Sequence, residues 1–91
     1  METSTDASHR GFLKLMLRLP ELRSDLRVFW PRDPSIQALC EAYDQATVMF
    51  ERLVATSDID DETLIEEYRI LCAQLEGDVI ETCVSRHKGS T

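Results

Sequence analysis

An all-α fold, an antiparallel helical hairpin with an N-terminal helical arm, is what three features of this 91-residue chain predict. Two long segments carry apolar side chains at helical spacing. Only a short polar stretch separates them, which forces the two rods antiparallel. The composition agrees: 30% charged residues with three glycines and three prolines favour helices over a loop-rich scaffold.

Residues 1–8 are polar and end-like, and are expected to be disordered. Residues 9–32 read as a basic amphipathic arm. In it Phe12, Leu13, Leu15, Met16, Leu17 and Leu19 accompany Arg10, Lys14 and Arg18, which recur at i, i+4 and i+8 and so share one helical face. Pro20 lacks an amide and ends this helix or begins a new turn. Leu22, Leu26 and Phe29 continue at roughly helical spacing as far as Trp30-Pro31.

The hairpin is expected over 33–86. Asp33-Pro34 is a helix start, with the carboxylate capping an orphan amide and proline suited to the first helical position. Ile36, Leu39, Cys40, Tyr43, Ala46, Thr47, Phe50, Leu53 and Val54 then form one wide stripe to about residue 55. Thr56 to Asp61 is polar and acidic, suited to a connection and a cap. From about 62, Leu64, Ile65, Tyr68, Leu71, Cys72, Leu75, Val79, Thr82 and Cys83 repeat the stripe to about 86. Antiparallel packing brings Phe50 near Tyr68 and Tyr43 near Leu75. A disordered tail over 87–91 completes the division.

The second long helix also has a further apolar line, Ile70, Ala73, Gly77, Ile80 and Val84, on the side opposite its stripe. Two apolar faces call for two sets of neighbours. Gly77 in a helix interior costs ~1 kcal/mol relative to alanine, so a compensating contact is expected there. Three explanations are open: the basic arm covers the line, the line is an interface for a partner or a second copy, or Gly77 marks a kink or an early helix end. A chain this short buries only roughly 60–65% of its unfolded surface, and association would strengthen it.

Leu19-Pro20-Glu21-Leu22, followed by Leu26, Phe29, Asp33, Ile36, Leu39 and Tyr43, resembles the YdcH-like family of short bacterial proteins. Glu66-Glu67-Tyr68-Arg69 and Leu75-Glu76-Gly77-Asp78-Val79 resemble that family's second helix, although the family usually has a charged residue where Gly77 stands. The resemblance spans about 19–82. It implies a helical hairpin without a catalytic role, and it leaves residues 1–18 unexplained.

Charge and residue chemistry narrow the function. The net charge of −7 divides into +2 over residues 1–32 and −9 over residues 33–91. The acidic hairpin repels phosphate backbones, so no nucleic-acid partner is expected. No catalytic, cofactor-binding or metal site is expected. His9 and His87 sit near opposite chain ends, no Glu-x-x-His occurs, the acids at 58–62 do not follow a calcium-loop pattern, and phosphate-binding glycine loops are absent.

Helical enzymes for dianionic substrates, such as chorismate mutases, need several inward cations, whereas the long helices offer only Arg52 and Arg69 well inside them. Cys40, Cys72 and Cys83 lack C-x-x-C spacing and read as reduced core thiols. No signal peptide or membrane span is evident, so a cytoplasmic location is expected. The resulting expectation is a non-enzymatic protein–protein interaction module without a small-molecule substrate, its candidate interface being Ile70, Ala73, Gly77, Ile80 and Val84. The alternative is a peripheral membrane or acidic-partner contact through the basic face Arg10, Lys14 and Arg18, with a small helical enzyme as a remoter possibility.

Overall fold

The computed structural model describes residues 3–56 and 61–89. Among them every regular element is helical: α1 (Thr3–Arg18), a short 3-10 turn (Pro20–Leu22), α2 (Arg23–Phe29), α3 (Pro34–Ala55) and α4 (Glu62–Gly89). Of the connection expected over 56–61, residues 57–60 lie outside the described residues.

Asp33 caps α3 as its chemistry requires, accepting from the Ser35 amide at 2.9 Å and the Ile36 amide at 3.4 Å, with Pro34 at the first helical position. Asp33 also accepts from the Arg86 guanidinium on α4, and this hydrogen bond is the main reason its carboxyl is held below the ordinary carboxylate value. Halfway along α3, the Tyr43 hydroxyl donates to Glu76 Oε2 at 2.6 Å. The pairs 33/86 and 43/76 share one antiparallel register, which sets Phe50 level with residues 68–69 as the stripes require.

The arm differs from expectation at its start. Residues 3–8 are helical, not disordered, because the chain there has something to pack against. Ala7 and Ser8 are buried. The Ser8 hydroxyl donates to the Gln37 carbonyl at 3.1 Å and accepts from Trp30 Nε1 at 2.9 Å. At the other end α4 continues through Lys88 to Gly89, so residues 87–89 belong to the helix and not to a tail.

Successive contacts of α1 with α3, Ser8 to Gln37, Arg10 to Asp44 and Lys14 to Thr47, advance together, so these two helices run parallel. Pro20 ends α1, and the 3-10 turn with α2 carries the chain back toward the start of α3. Leu26 of α2 is fully buried, and His87 of α4 stands 2.7 Å from Asp25 of α2. The helices α1, α3 and α4 thus lie side by side with α2 across them.

The core sits where all four meet. Phe12, Leu15, Leu26, Ile36, Cys40, Tyr43, Ala46, Leu75, Val79 and Cys83 form it. Beyond the end of α1 the hairpin projects as two helices alone, and between Thr47 and Leu71 no described residue is fully buried. The molecule is accordingly long and thin, 50 × 31 × 18 Å.

Candidate interaction surface

Two faces stand out in the sequence, and the structure treats them in opposite ways. The basic face of α1 runs along its seam with the hairpin, Arg10 and Arg18 remaining largely exposed. Arg10 Nη2 lies 3.2 Å from Asp44 Oδ2, Lys14 Nζ lies 2.9 Å from Asp44 Oδ1, and Arg18 Nε donates to Glu76 Oε2 at 3.1 Å. All three cations that the alternative reading assigns to an outside partner are thus engaged by acids of the same chain.

Asp44 is the centre of this clasp. It is only 2% exposed. Burial alone would raise its carboxyl pKa, but the hydrogen bonds and charges of Lys14 and Arg10 outweigh burial and hold it below the ordinary value. Thr47 extends the arrangement by accepting from Lys14 Nζ at 2.7 Å. On the other side of α3, Glu76 joins Arg18 to the Tyr43 hydroxyl, and burial followed by that hydrogen bond drives the phenol pKa well up.

Close approach makes the clasp possible. Gly11 faces the backbone of Cys40, and a Cβ placed on it would stand 1.7 Å from the Cys40 carbonyl oxygen. No side chain fits there, so Gly11 lets α1 lie directly on α3. Around the same seam Phe12 stacks on Trp30 with ring centroids 4.8 Å apart, and the His9 ring lies 5.4 Å from that of Trp30. His9 and His87 are thus held on helices, although both remain exposed to solvent.

The second apolar line has no such cover. Ile70 is 48% exposed, Ile80 41% and Val84 46%, and Ala73 and Gly77 between them are exposed as well. The arm does not lie on this line: its buried residues Phe12 and Leu15 join the core, and its charges reach α3 and the inner edge of α4. Nor does Gly77 break the helix, since α4 runs uninterrupted from Glu62 to Gly89. Of the three explanations open at Gly77, the arm cover and the kink are removed. A methyl group added at Gly77 would meet no atom within 4 Å beyond its own helix backbone and chain neighbours, so the space around it is open.

This line borders a shallow groove of about 500 Å³ lined by Gln74, Gly77, Asp78, Ile80, Glu81 and Val84. A second open groove of about 640 Å³ lies above Arg18, between Phe50 of α3 and Cys72 of α4. The titratable groups in and near the core are committed to packing. Burial raises the Cys40 thiol to about 12 and the Cys83 thiol to about 11, and raises that of Cys72 as well. A thiol so far from ionisation is a poor nucleophile and a poor metal ligand. Among the described residues, no three His, Cys, Asp or Glu side chains gather as a metal site would require, and no helix is long and apolar enough to cross a membrane.

Asp44 and Gly11 do not stand out in the sequence as Arg10, Lys14 and Arg18 do. A signal for each exists: Ala7 and Gly11, four apart, make a small-residue edge on the arm, and two cations four apart along a packed helix seam require an acid opposite them. Compared with family models, with curated proteins and with solved structures, the chain matches none.

Proposed function

We propose that this protein is a non-enzymatic interaction module, acting in the cytoplasm, that presents the outer line of α4 to another protein surface. The observation that carries the reading is the uncovered row Ile70, Ala73, Gly77, Ile80 and Val84 on a helix whose opposite face already holds the core. A contiguous exposed apolar row is the kind of surface that protein contacts use, whereas apolar residues exposed singly are ordinary. We take the hairpin to be of the YdcH-like kind, with α1 as an added strut.

The alternative, a contact with anionic membranes or acidic partners through Arg10, Lys14 and Arg18, is less well supported. Engaging an outside anion would strip Asp44 of its counter-charges while it stays buried, which is costly. An enzymatic reading gains nothing from the open grooves or from thiols held far from ionisation.

The test is affinity capture of the intact protein from its native host beside a variant carrying Ile70→Glu and Ile80→Glu. Loss of a bound protein from the variant, with its helical circular dichroism unchanged, is the expected result. An identical captured set from both proteins would overturn the reading.

A further inference from the structure

The chemistry along the outer line of α4 has a centre. Counting from Gly77, Ile70 and Val84 stand seven residues away on either side, and Glu66 and Lys88 stand eleven away. Seven and eleven residues are nearly whole numbers of helical turns, so all five lie on one edge of the rod. The edge therefore reads acid, aliphatic, glycine, aliphatic, base, with Ala73 and Ile80 filling the intervals.

We infer that the occupant of this edge is a second copy of the chain, its α4 lying antiparallel to the first with the twofold axis at Gly77. The inference rests on the reading that this line is a protein interface, and it adds the partner and the geometry. A twofold axis at residue 77 brings residue i of one helix opposite residue 154 − i of the other, the self-complementary pairing a symmetric dimer needs. Glu66 then meets Lys88 of the second copy at both ends, each exchanging an exposed contact within its own chain, and Ile70 meets Val84.

Ile80 falls beside the small Ala73 of the other helix, so bulk is met by space. Where the axes cross, Gly77 meets Gly77 with nothing to hold the helices apart. This gives the glycine the compensating contact that its position in a helix interior requires.

Charge selects the direction. On this outer edge the start of α4 carries Glu66, which holds Arg69 in an exposed i,i+3 pair, and its end carries Lys88. Arg86 and His87 are turned to Asp33 and Asp25 of their own chain. An antiparallel pair sets Glu66 of each helix against Lys88 of the other, and Gln74 beside Glu81. A parallel pair would set Glu66 against Glu66 and Lys88 against Lys88. The helix dipoles favour the same choice.

Sedimentation equilibrium of the full chain, over micromolar to millimolar concentration at low salt, tests the dimer, with circular dichroism confirming that each variant is folded. A monomer–dimer equilibrium is expected. Ile70→Glu with Ile80→Glu should weaken it by about 100-fold or more, since two apolar anchors become charged at both symmetry-related positions. Glu66→Lys alone and Lys88→Glu alone should each weaken it by about three- to tenfold, and the two together should recover most of that loss, as reciprocal exposed ion pairs do. Gly77→Leu should also weaken the dimer while leaving the monomer folded.

A strict monomer at millimolar concentration overturns the inference and leaves the line to a foreign partner. A dimer broken by Ile70→Glu with Ile80→Glu, but not recovered by the paired charge reversal, overturns the antiparallel register while the line stands as the interface. A dimer indifferent to every one of these variants overturns both this inference and the reading on which it rests.

Discussion

Gly11 and Gly77 each stand inside a helix, one turn after an alanine (Ala7 and Ala73), yet they sit in opposite circumstances. At Gly11 the Cys40 carbonyl oxygen fills the space a methyl group would need, while at Gly77 that space is empty. The first glycine belongs to a finished seam, in which α1 and α3 touch backbone to backbone and two cations close over a buried acid. The second belongs to a surface with apolar residues and no cover. A small residue in a helix thus marks a place for a close neighbour, and the fold of the single chain supplies that neighbour at only one of the two.

The sharpest way to break this contrast is to add one methyl group at each place. Gly11→Ala should cost about 3 kcal/mol of folding stability, because the obstacle is backbone and α1 must lift from α3 to relieve it. Urea unfolding measures this, and a loss under about 1 kcal/mol would mean that the seam is looser than the Gly11–Cys40 geometry requires.

Removing the acid at the centre of the seam should be next in size. Asp44→Ala should cost about 2 kcal/mol, through the lost hydrogen bonds of Arg10 and Lys14 and the cavity beside Thr47. The cost is tempered because Arg10 is more than half exposed and regains water. If Lys14→Met in the Asp44→Ala background costs as much as it does alone, the two residues are not coupled and the clasp is not what holds α1.

Acid should loosen the same seam. The folded Asp44 carboxyl titrates below its ordinary value, so its contribution is present above about pH 4 and fades as pH falls through the folded value. Asp33, lowered chiefly by its hydrogen bond from Arg86, acts in the same direction. The urea midpoint of the native protein should therefore drop on acidification from pH 5 to 2, and Asp44→Asn should flatten part of that drop. An equal slope in both proteins would remove Asp44 from the account.

The smallest effect should have the opposite sign. Gly77→Ala, measured at a dilution where the chain is monomeric, should stabilise by up to about 1 kcal/mol, since alanine favours the helix and meets no atom. A destabilised monomer would show that the open space at Gly77 is not open in solution.

What the sequence discloses, and what it does not, follows the range of the interactions. The Asp33 cap, the stripes of α3 and α4 and their antiparallel pairing are legible because they depend on residues a few places apart and on one short connection. The position of the arm is not. Its cations at Arg10, Lys14 and Arg18 describe a basic face correctly, but whether that face looks to water or to the hairpin depends on Asp44, some thirty residues on, and on the opening left by Gly11. Helix at residues 3–8 is hidden for the same reason, since Ala7 and Ser8 gain their burial from α2 and α3 and not from local pattern. The outer line of α4 is legible as a line, and the structure resolves which of its explanations the chain's own packing excludes.

The placement of Cys40 beneath the arm gives the molecule a built-in clock. Its backbone carries the contact with Gly11 and its side chain is fully buried in the core, whereas Cys72 is only partly covered. A disulfide reagent such as Ellman's compound must wait for the core around Cys40 to open before it reacts there, so the labelling rate counts how often that packing lets go, and Cys72 in the same tube supplies the reference.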